Sequence, residues 1–256
     1  LNEQEMKADI GVAVIAKNEA DRIGKLLSSL SFATDIVVVD SGSVDGTQSL
    51  CSQMGARVIH REWSGFAEQK QFAMEQVGSE WVLNLDADEE ITEALQREMV
   101  MAVENSSSDV LGFSMPRLSR YLNRWIRHGG WYPDRKVRLA KKGAGRWMGD
   151  YLHEQLVVNG NVKSLSQPIL HHVYRNISDQ VITINRFSSI SAKGIDSAGG
   201  GYVVLGLIHA VVKFAECYLL KLGFLDGVAG LVIASNSSWY VFLRHAKAWE
   251  RHLKGS

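Results

Sequence analysis

Between residues 10 and 88 the chain alternates short β-branched runs with helical stretches, and few folds accommodate that alternation. Residues 10–16, 35–40, 56–60 and 81–86 are too short for buried helices and rich in Val and Ile, so each reads as a buried strand. The stretches between them are helical: Ile23, Leu26, Leu27 and Leu30 share one face, and residues 47–54 and 66–77 supply two more helices. Parallel strands need such crossovers, so the predicted class is α/β with a mostly parallel central sheet.

In an open α/β sheet, ligands sit beyond the carboxyl ends of the strands. Three strand ends here carry polar residues: Lys17-Asn18-Glu19, then Asp40 with Ser41-Gly42-Ser43-Val44-Asp45-Gly46-Thr47, then Asp86-Ala87-Asp88-Glu89-Glu90. Two carboxylates one residue apart can share a hard divalent cation that bridges to phosphates. Asp40 can accept from a base N–H or from ribose hydroxyls, and the glycines let backbone N–H groups approach closely. Each feature also has a plainer reading. The acids suit a solvated turn, and the Ser-Gly loop suits a strand-to-helix turn with Asp45 or Thr47 as N-cap. That loop has neither the Gly-x-Gly-x-x-Gly of dinucleotide sites nor the Gly-Lys-Ser/Thr of a P-loop.

Lys plus Arg and Asp plus Glu both total 28, so overall charge points to no nucleic-acid partner, and none is expected. Locally the balance differs: between Pro116 and Trp147 stand ten Lys or Arg and a single acid, Asp134. That stretch suits either phosphates or a solvated face. Cys51 and Cys217 are far apart, which predicts a reducing compartment and no disulfide. Residues 1–9 are polar, with no signal-peptide core, and no uncharged apolar run reaches spanning length, so a cytoplasmic chain without a spanning helix is expected.

Ile15-Ala16-Lys17-Asn18-Glu19, Val37-Val38-Val39-Asp40-Ser41-Gly42-Ser43-Val44-Asp45-Gly46-Thr47 and Asn84-Leu85-Asp86-Ala87-Asp88-Glu89 together resemble the family 2 glycosyltransferases. The resemblance implies a GT-A (Rossmann-like) fold that binds a nucleotide sugar. It places Ala16, Lys17, Asn18, Glu19 and Asp40 at the nucleoside, Asp86 at the ribose or metal, and Asp88 on Mg²⁺ or Mn²⁺ at the diphosphate. Ser41, Gly42, Lys70 and Ala87 are counted with the donor-binding set. Arg135, Lys136 and Arg138, on an alternating strand-like stretch, are candidates for the donor diphosphate or for an anionic acceptor. Trp125, Trp131, Tyr132 and Trp147 read either as sugar platforms or as core.

Gly149-Asp150-Tyr151-Leu152-His153-Glu154-Gln155 is similar to the family segment that carries the base. The chemistry needs a carboxylate beside the acceptor hydroxyl, and Glu154 is the expected base, with Asp150 as its alternative and His153 as neighbour. His171, in His171-His172-Val173-Tyr174-Arg175, matches the family's late histidine, which implies a second metal ligand.

After Asn176 the pattern becomes long apolar helices interrupted by His209, Lys213, Glu216, Lys221, Asp226 and Arg244. Two domains are expected: 1–175 for the nucleotide-sugar domain and 176–256 for an amphipathic helical region. Helices of this kind pack on one another, form homo-oligomers, or lie in a bilayer interface with Lys and Arg snorkelling. Leu219-Leu220-Lys221-Leu222-Gly223-Phe224-Leu225-Asp226-Gly227 and Ala246-Lys247-Ala248-Trp249-Glu250 are similar to one branch, the bacterial lipopolysaccharide inner-core β-glucosyltransferases. That likeness implies an inverting, metal-dependent enzyme moving glucose from UDP-glucose to a heptose of a lipid-linked acceptor, peripheral on the cytoplasmic face of the inner membrane. Two alternatives stay open: sugar transfer to a polyprenyl phosphate, and a non-catalytic membrane-binding module.

Overall fold

The computed structural model describes residues 8–149, 154–195 and 199–255. The chain divides into two compact units, Leu1–Arg117 with Arg135–His171, and Leu118–Asp134 with His172–Ser256. The division differs from a single break after residue 175: residues 118–134 belong with the C-terminal helices.

The first unit opens with the expected alternation: β1 (Ile10–Ala16), α1 (Ile23–Ser28), β2 (Ile36–Asp40), α2 (Thr47–Gln53), β3 (Arg57–His60), α3 (Phe66–Gln76) and β4 (Trp81–Asp86). Then follow β5 (Glu89–Glu90), α4 (Glu93–Glu104), β6 (Val110–Tyr121), whose last residues enter the second unit, and β7 (Arg124–Trp125), which lies wholly in that unit. β8 (Asp134–Lys141), β9 (Gly145–Met148), β10 (Gln155–Val158), β11 (Asn161–Ser164) and β12 (Ile169–His171) complete the strands. The main sheet runs β3-β2-β1-β4-β8-β6-β12-β5, with β11 parallel to β6, while β9 and β10 form a separate antiparallel pair.

β1 is parallel to β2 and β4, and β2 to β3; β1, β2 and β4 are buried along almost their whole length, which is why they read as continuous apolar runs rather than as alternation. One face packs Val12, Val14 and Leu83 with Ile23, Leu26, Leu95 and Met99. The other packs Ala13, Val37, Val39 and Val82 with Ala73, Met74 and Trp147. Gly11 is required at the β1 crossing, since a Cβ there would lie 2.4 Å from Val77 and 2.6 Å from the Ser79 hydroxyl. Register positions the site. Ala16 is paired with Asp40 and Ile15 with Asp86, so all three loop-bearing strand ends reach the same edge. β8 runs antiparallel to β4, with Leu139 opposite Leu83, and this carries the basic stretch alongside the strand that ends in Asp86.

The second unit is built on α5 (Ile177–Lys193), α6 (Gly200–Ala215) and α7 (Gly227–Gly255). A π-helical turn (Glu216–Leu220) and a 3-10 turn (Gly223–Asp226) link α6 to α7. The Asn176 side chain caps α5 by accepting from Asp179 N at 2.9 Å. Tyr121 and Ile126 pack with Ala229 and Ile233, the Tyr121 hydroxyl donates to Gln180, and buried Asp226 accepts from Arg127 N and His128 N at 3.2 and 2.8 Å. Gly206 lets α6 close on α7, where a Cβ would fall 2.5 Å from His245. The 21-residue helical stretch Gly200–Leu220 is long and apolar enough to cross a membrane, with only 17% of its apolar window buried. No uncharged run of that length exists, as the sequence shows; the stretch qualifies by length and composition with Lys213 and Glu216 included, and these two pair at 2.9 Å.

Candidate active site

The first two loops are tied to each other before any ligand arrives. Asn18 adopts a left-handed backbone (φ 56°), its N–H donates to Ser43 Oγ at 2.8 Å, and its Oδ1 accepts from Val44 N at 2.9 Å. Glu19 N donates to Thr47 Oγ1 at 2.9 Å and Ala20 N to Asp45 Oδ2 at 3.1 Å. Asp40 is fully buried; Oδ1 accepts from Gly42 N and Ser43 N at 3.0 and 2.9 Å and from the Gln48 amide, while Oδ2 takes the Ser43 hydroxyl. Asp40 therefore shapes the loop from inside, and the exposed groups on the rim of these loops include Lys17, Asn18, Gly42 and Val44. Ser41 N donates to Ala16 O at 3.0 Å and its hydroxyl receives Gln69 Nε2 at 3.1 Å, so Ser41 and Ala16 also act from beneath.

At the tip of β4, Asp86 is gripped by two cations. Lys70 Nζ lies 2.8 Å from Oδ1 and Arg138 Nη2 2.7 Å from Oδ2. Burial pushes the Asp86 carboxyl up, but Arg138 and Lys70 outweigh it and hold it well below the usual carboxylate range. Arg138 is only 4% exposed and also bonds Glu89 at 3.0 Å, while Glu89 Oε2 accepts from Asp86 N at 2.9 Å. Burial disfavours the Arg138 cation, yet Asp86 and Glu89 more than compensate and raise its pKa. Arg138 is thus a strut beneath Asp86, its charge spent on two carboxylates.

A cavity of about 420 Å³ opens beside this cluster, lined by Lys70, Asp86, Arg135, Lys136, Arg138, Trp147 and Glu154 among others. Glu154 Oε1 receives Lys70 Nζ at 3.3 Å. The Trp147 indole N–H donates to Asn84 at 3.0 Å, and its ring faces Lys70 Nζ, 4.7 Å from the centroid. Arg135 donates to Leu165 O at 2.9 Å. Asp150 and His153, the expected alternative and neighbour to the base, lie outside the described residues. Of the aromatic candidates, Trp147 lines the cavity, whereas Trp131 packs with Tyr121 and Tyr174 in the second unit.

Asp88, in the turn after β4, faces His171, with Oδ2 and Nε2 3.5 Å apart. The antiparallel pairing of His171 with Glu89 brings the histidine there. A carboxylate oxygen is an ordinary ligand of Mg²⁺ and Mn²⁺, whereas an imidazole nitrogen suits a transition-metal ion, so this pair fits Mn²⁺ better than Mg²⁺. Among the described residues no cluster of three or more His, Cys, Asp or Glu could hold a metal, so other ligands would have to come from elsewhere, such as a bound diphosphate. Arg22 Nη1 stands 3.3 Å from the same Asp88 oxygen. Ala87 is buried and packs in the core. Sequence reasoning did not single out Arg22, in the turn before α1, or Gln69 and Asn84, which lie in ordinary helical and strand patterns. It named Glu89 only within the acid run.

A family model described as glycosyl transferase family 2 matches residues 11–159. The chain is 31% identical over 258 residues to the lipopolysaccharide core biosynthesis glycosyltransferase LpsC of Rhizobium meliloti, spanning 96% of this chain and 94% of that one. An uncharacterized glycosyltransferase of Rickettsia felis is 30% identical over 257 residues, covering 96% and 91%. Among solved structures, the mannosyltransferase PcManGT from Pyrobaculum calidifontis, in complex with GDP-Man and Mn²⁺, superposes with a TM-score of 0.53 at 14% identity over 96% of this chain and 89% of that one.

Proposed function

The chain belongs to glycosyl transferase family 2, and on that premise we propose that it transfers a hexose, glucose from UDP-glucose, to a heptose of the lipopolysaccharide inner core with inversion at the anomeric carbon. The observation that carries this reading is the convergence of Asp86, Lys70 and Glu154 on one cavity beside the Asp88–His171 pair. A relative along nearly the whole chain that is named for lipopolysaccharide core biosynthesis supports the acceptor class. The loops at Ala16–Glu19 and Asp40–Gly42 would seat the nucleoside, with Asp86 at the ribose.

Asp88 and His171 would hold Mg²⁺ or Mn²⁺, which when bound offsets charge on the leaving diphosphate. Arg135 and Lys136, on the cavity wall, add positive field for an anionic substrate. Glu154 would take the proton of the acceptor hydroxyl as that oxygen attacks the anomeric carbon. The bond from that carbon to the diphosphate oxygen breaks on the opposite side, and its electron pair leaves with UDP.

The second unit would attach the enzyme peripherally to the cytoplasmic face of the inner membrane. Val204, Leu207, Ile208, Val211 and Val212 of α6 are each more than half exposed. The charges that follow are grouped: Glu216 takes Lys213 at 2.9 Å and Lys221 at 2.5 Å, so they sit together at the end of the apolar stretch, where lysines can reach lipid headgroups.

The test is transfer from radiolabelled UDP-glucose to truncated, heptose-terminated lipopolysaccharide. Asp88→Ala is expected to abolish metal-dependent transfer, and Glu154→Gln to slow it by about 10²–10⁴-fold while UDP binding persists. Wild-type transfer by Glu154→Gln would overturn the base assignment and favour an acceptor that is already an anion, such as a polyprenyl phosphate. Absence of Mn²⁺-dependent UDP binding in calorimetry would favour a non-catalytic module.

A further inference from the structure

Lys70 was expected among the donor-binding residues, but its surroundings assign it a more specific task. Its ammonium is almost wholly enclosed, and its partners are Asp86 at 2.8 Å, Glu154 at 3.3 Å and the face of Trp147 at 4.7 Å. An ammonium has three N–H groups, and these two carboxylates and the ring provide a partner for each. α3 delivers the lysine from one side of the cavity, β4 delivers Asp86, and the residue just before β10 is Glu154. One buried cation therefore joins the carboxylate at the donor-side strand tip to the carboxylate that faces the acceptor.

We infer that Lys70 is a positioning residue for transfer, fixing the orientation of Glu154 by bridging it to Asp86. The inference rests on the reading of Glu154 as the base. Without the bridge, Glu154 and Asp86 would face each other across the cavity as like charges, and the base would lose the contact that aims it. The other charged groups on that cavity are Arg117 from β6 and Arg135, Lys136 and Arg138 from β8. Arg117 and Arg138 are engaged with Glu89, at 3.6 and 3.0 Å, and Arg135 with Leu165 O; Lys70 Nζ reaches the Glu154 carboxylate at 3.3 Å, and the Arg138 charge also acts on it through space. Once the hydroxyl proton has moved onto Glu154, the Asp86 carboxylate still balances the lysine charge.

A double-mutant cycle on the full chain tests this, with UDP-glucose and truncated lipopolysaccharide as substrates. Lys70→Met is expected to lower kcat by about 10–100-fold in the wild-type background and by less than about threefold in Glu154→Gln, since the lysine acts through the glutamate. UDP affinity, measured by calorimetry, is expected to stay within about threefold in Lys70→Met, whereas a diphosphate-binding lysine would lose much more. Lys70→Arg, which keeps a cation beside both carboxylates, is expected to recover part of the kcat lost in Lys70→Met. Equal losses in both backgrounds, a collapse of UDP affinity, or a Lys70→Arg rate no better than that of Lys70→Met would each overturn the inference. A Glu154→Gln enzyme at wild-type speed would instead overturn the base reading beneath it.

Discussion

Glu89 shows how a residue with no chemistry of its own can decide where a reactive one points. Its carboxylate is buried, accepts from Asp86 N, and bonds Arg138, which in turn grips Asp86. Removing one partner of such a buried pair leaves an uncompensated charge, so Glu89→Ala is expected to cost about 3–5 kcal/mol in urea unfolding. Glu89→Gln, which can still accept from Arg138, should cost less. Nothing in the run Asp86-Ala87-Asp88-Glu89-Glu90 separates the brace from the proposed metal ligand, because all four acids look alike until β5 pairs with β12 and turns Glu89 inward. Asp40 carries the same lesson. Its place at a strand end is legible, but its saturation by Gly42, Ser43 and Gln48 depends on how the next loop folds.

At the scale of elements, paired loops and one exposed helix carry the expected behaviour. The 17–20 and 43–47 loops are tied through Asn18, whose left-handed backbone suits asparagine better than most residues. Asn18→Ala removes the acceptor for Val44 N and strains the turn, so hydrogen exchange across residues 43–47 should speed up and UDP affinity fall. For the helices, Leu220 is 79% exposed and Leu225 48%, so charging them leaves the core of the second unit untouched. Leu220→Asp with Leu225→Asp should keep the melting temperature within a few degrees yet abolish flotation with anionic liposomes. Unchanged flotation, or a monomer replacing a dimer in light scattering, would turn the apolar face over to a second copy of the chain. The apolar pattern after Asn176 marks this region as helical, and the structure places α5, α6 and α7 there. The pattern could not tell that α6 leaves its apolar side bare, because a stripe buried by a neighbour and a stripe met by lipid have the same composition.

For the whole molecule, residues 118–134 decide what can be separated. Tyr121 and Ile126 bury themselves with Ala229 and Ile233, so a chain cut after Arg175 bares them and is expected to be insoluble, whereas a cut within the far C-terminal turn of α7 is not. Acid should unfold the protein in a defined direction. Arg57 lowers Asp35 through its hydrogen bonds. Burial raises Asp86 and Glu98, but Arg138 and Lys70 for the first and the N–H groups of Ser166 and Gln167 for the second bring them down overall. Each carboxyl is easier to protonate when unfolded, so its stabilisation is complete above about pH 4 and is lost as pH falls through the folded value. Circular dichroism at fixed urea should therefore show a stability that drops below about pH 4. By itself the sequence determined the parallel α/β core, the strand ends that carry polar loops, and the family to which those motifs belong, because hydrophobic period and turn chemistry are local properties. Only the tertiary structure decided that β8 runs back beside β4, that Arg138 and Lys70 share Asp86, and that Lys70 reaches Glu154, since contacts between residues 52 and 84 positions apart depend on strand order and register.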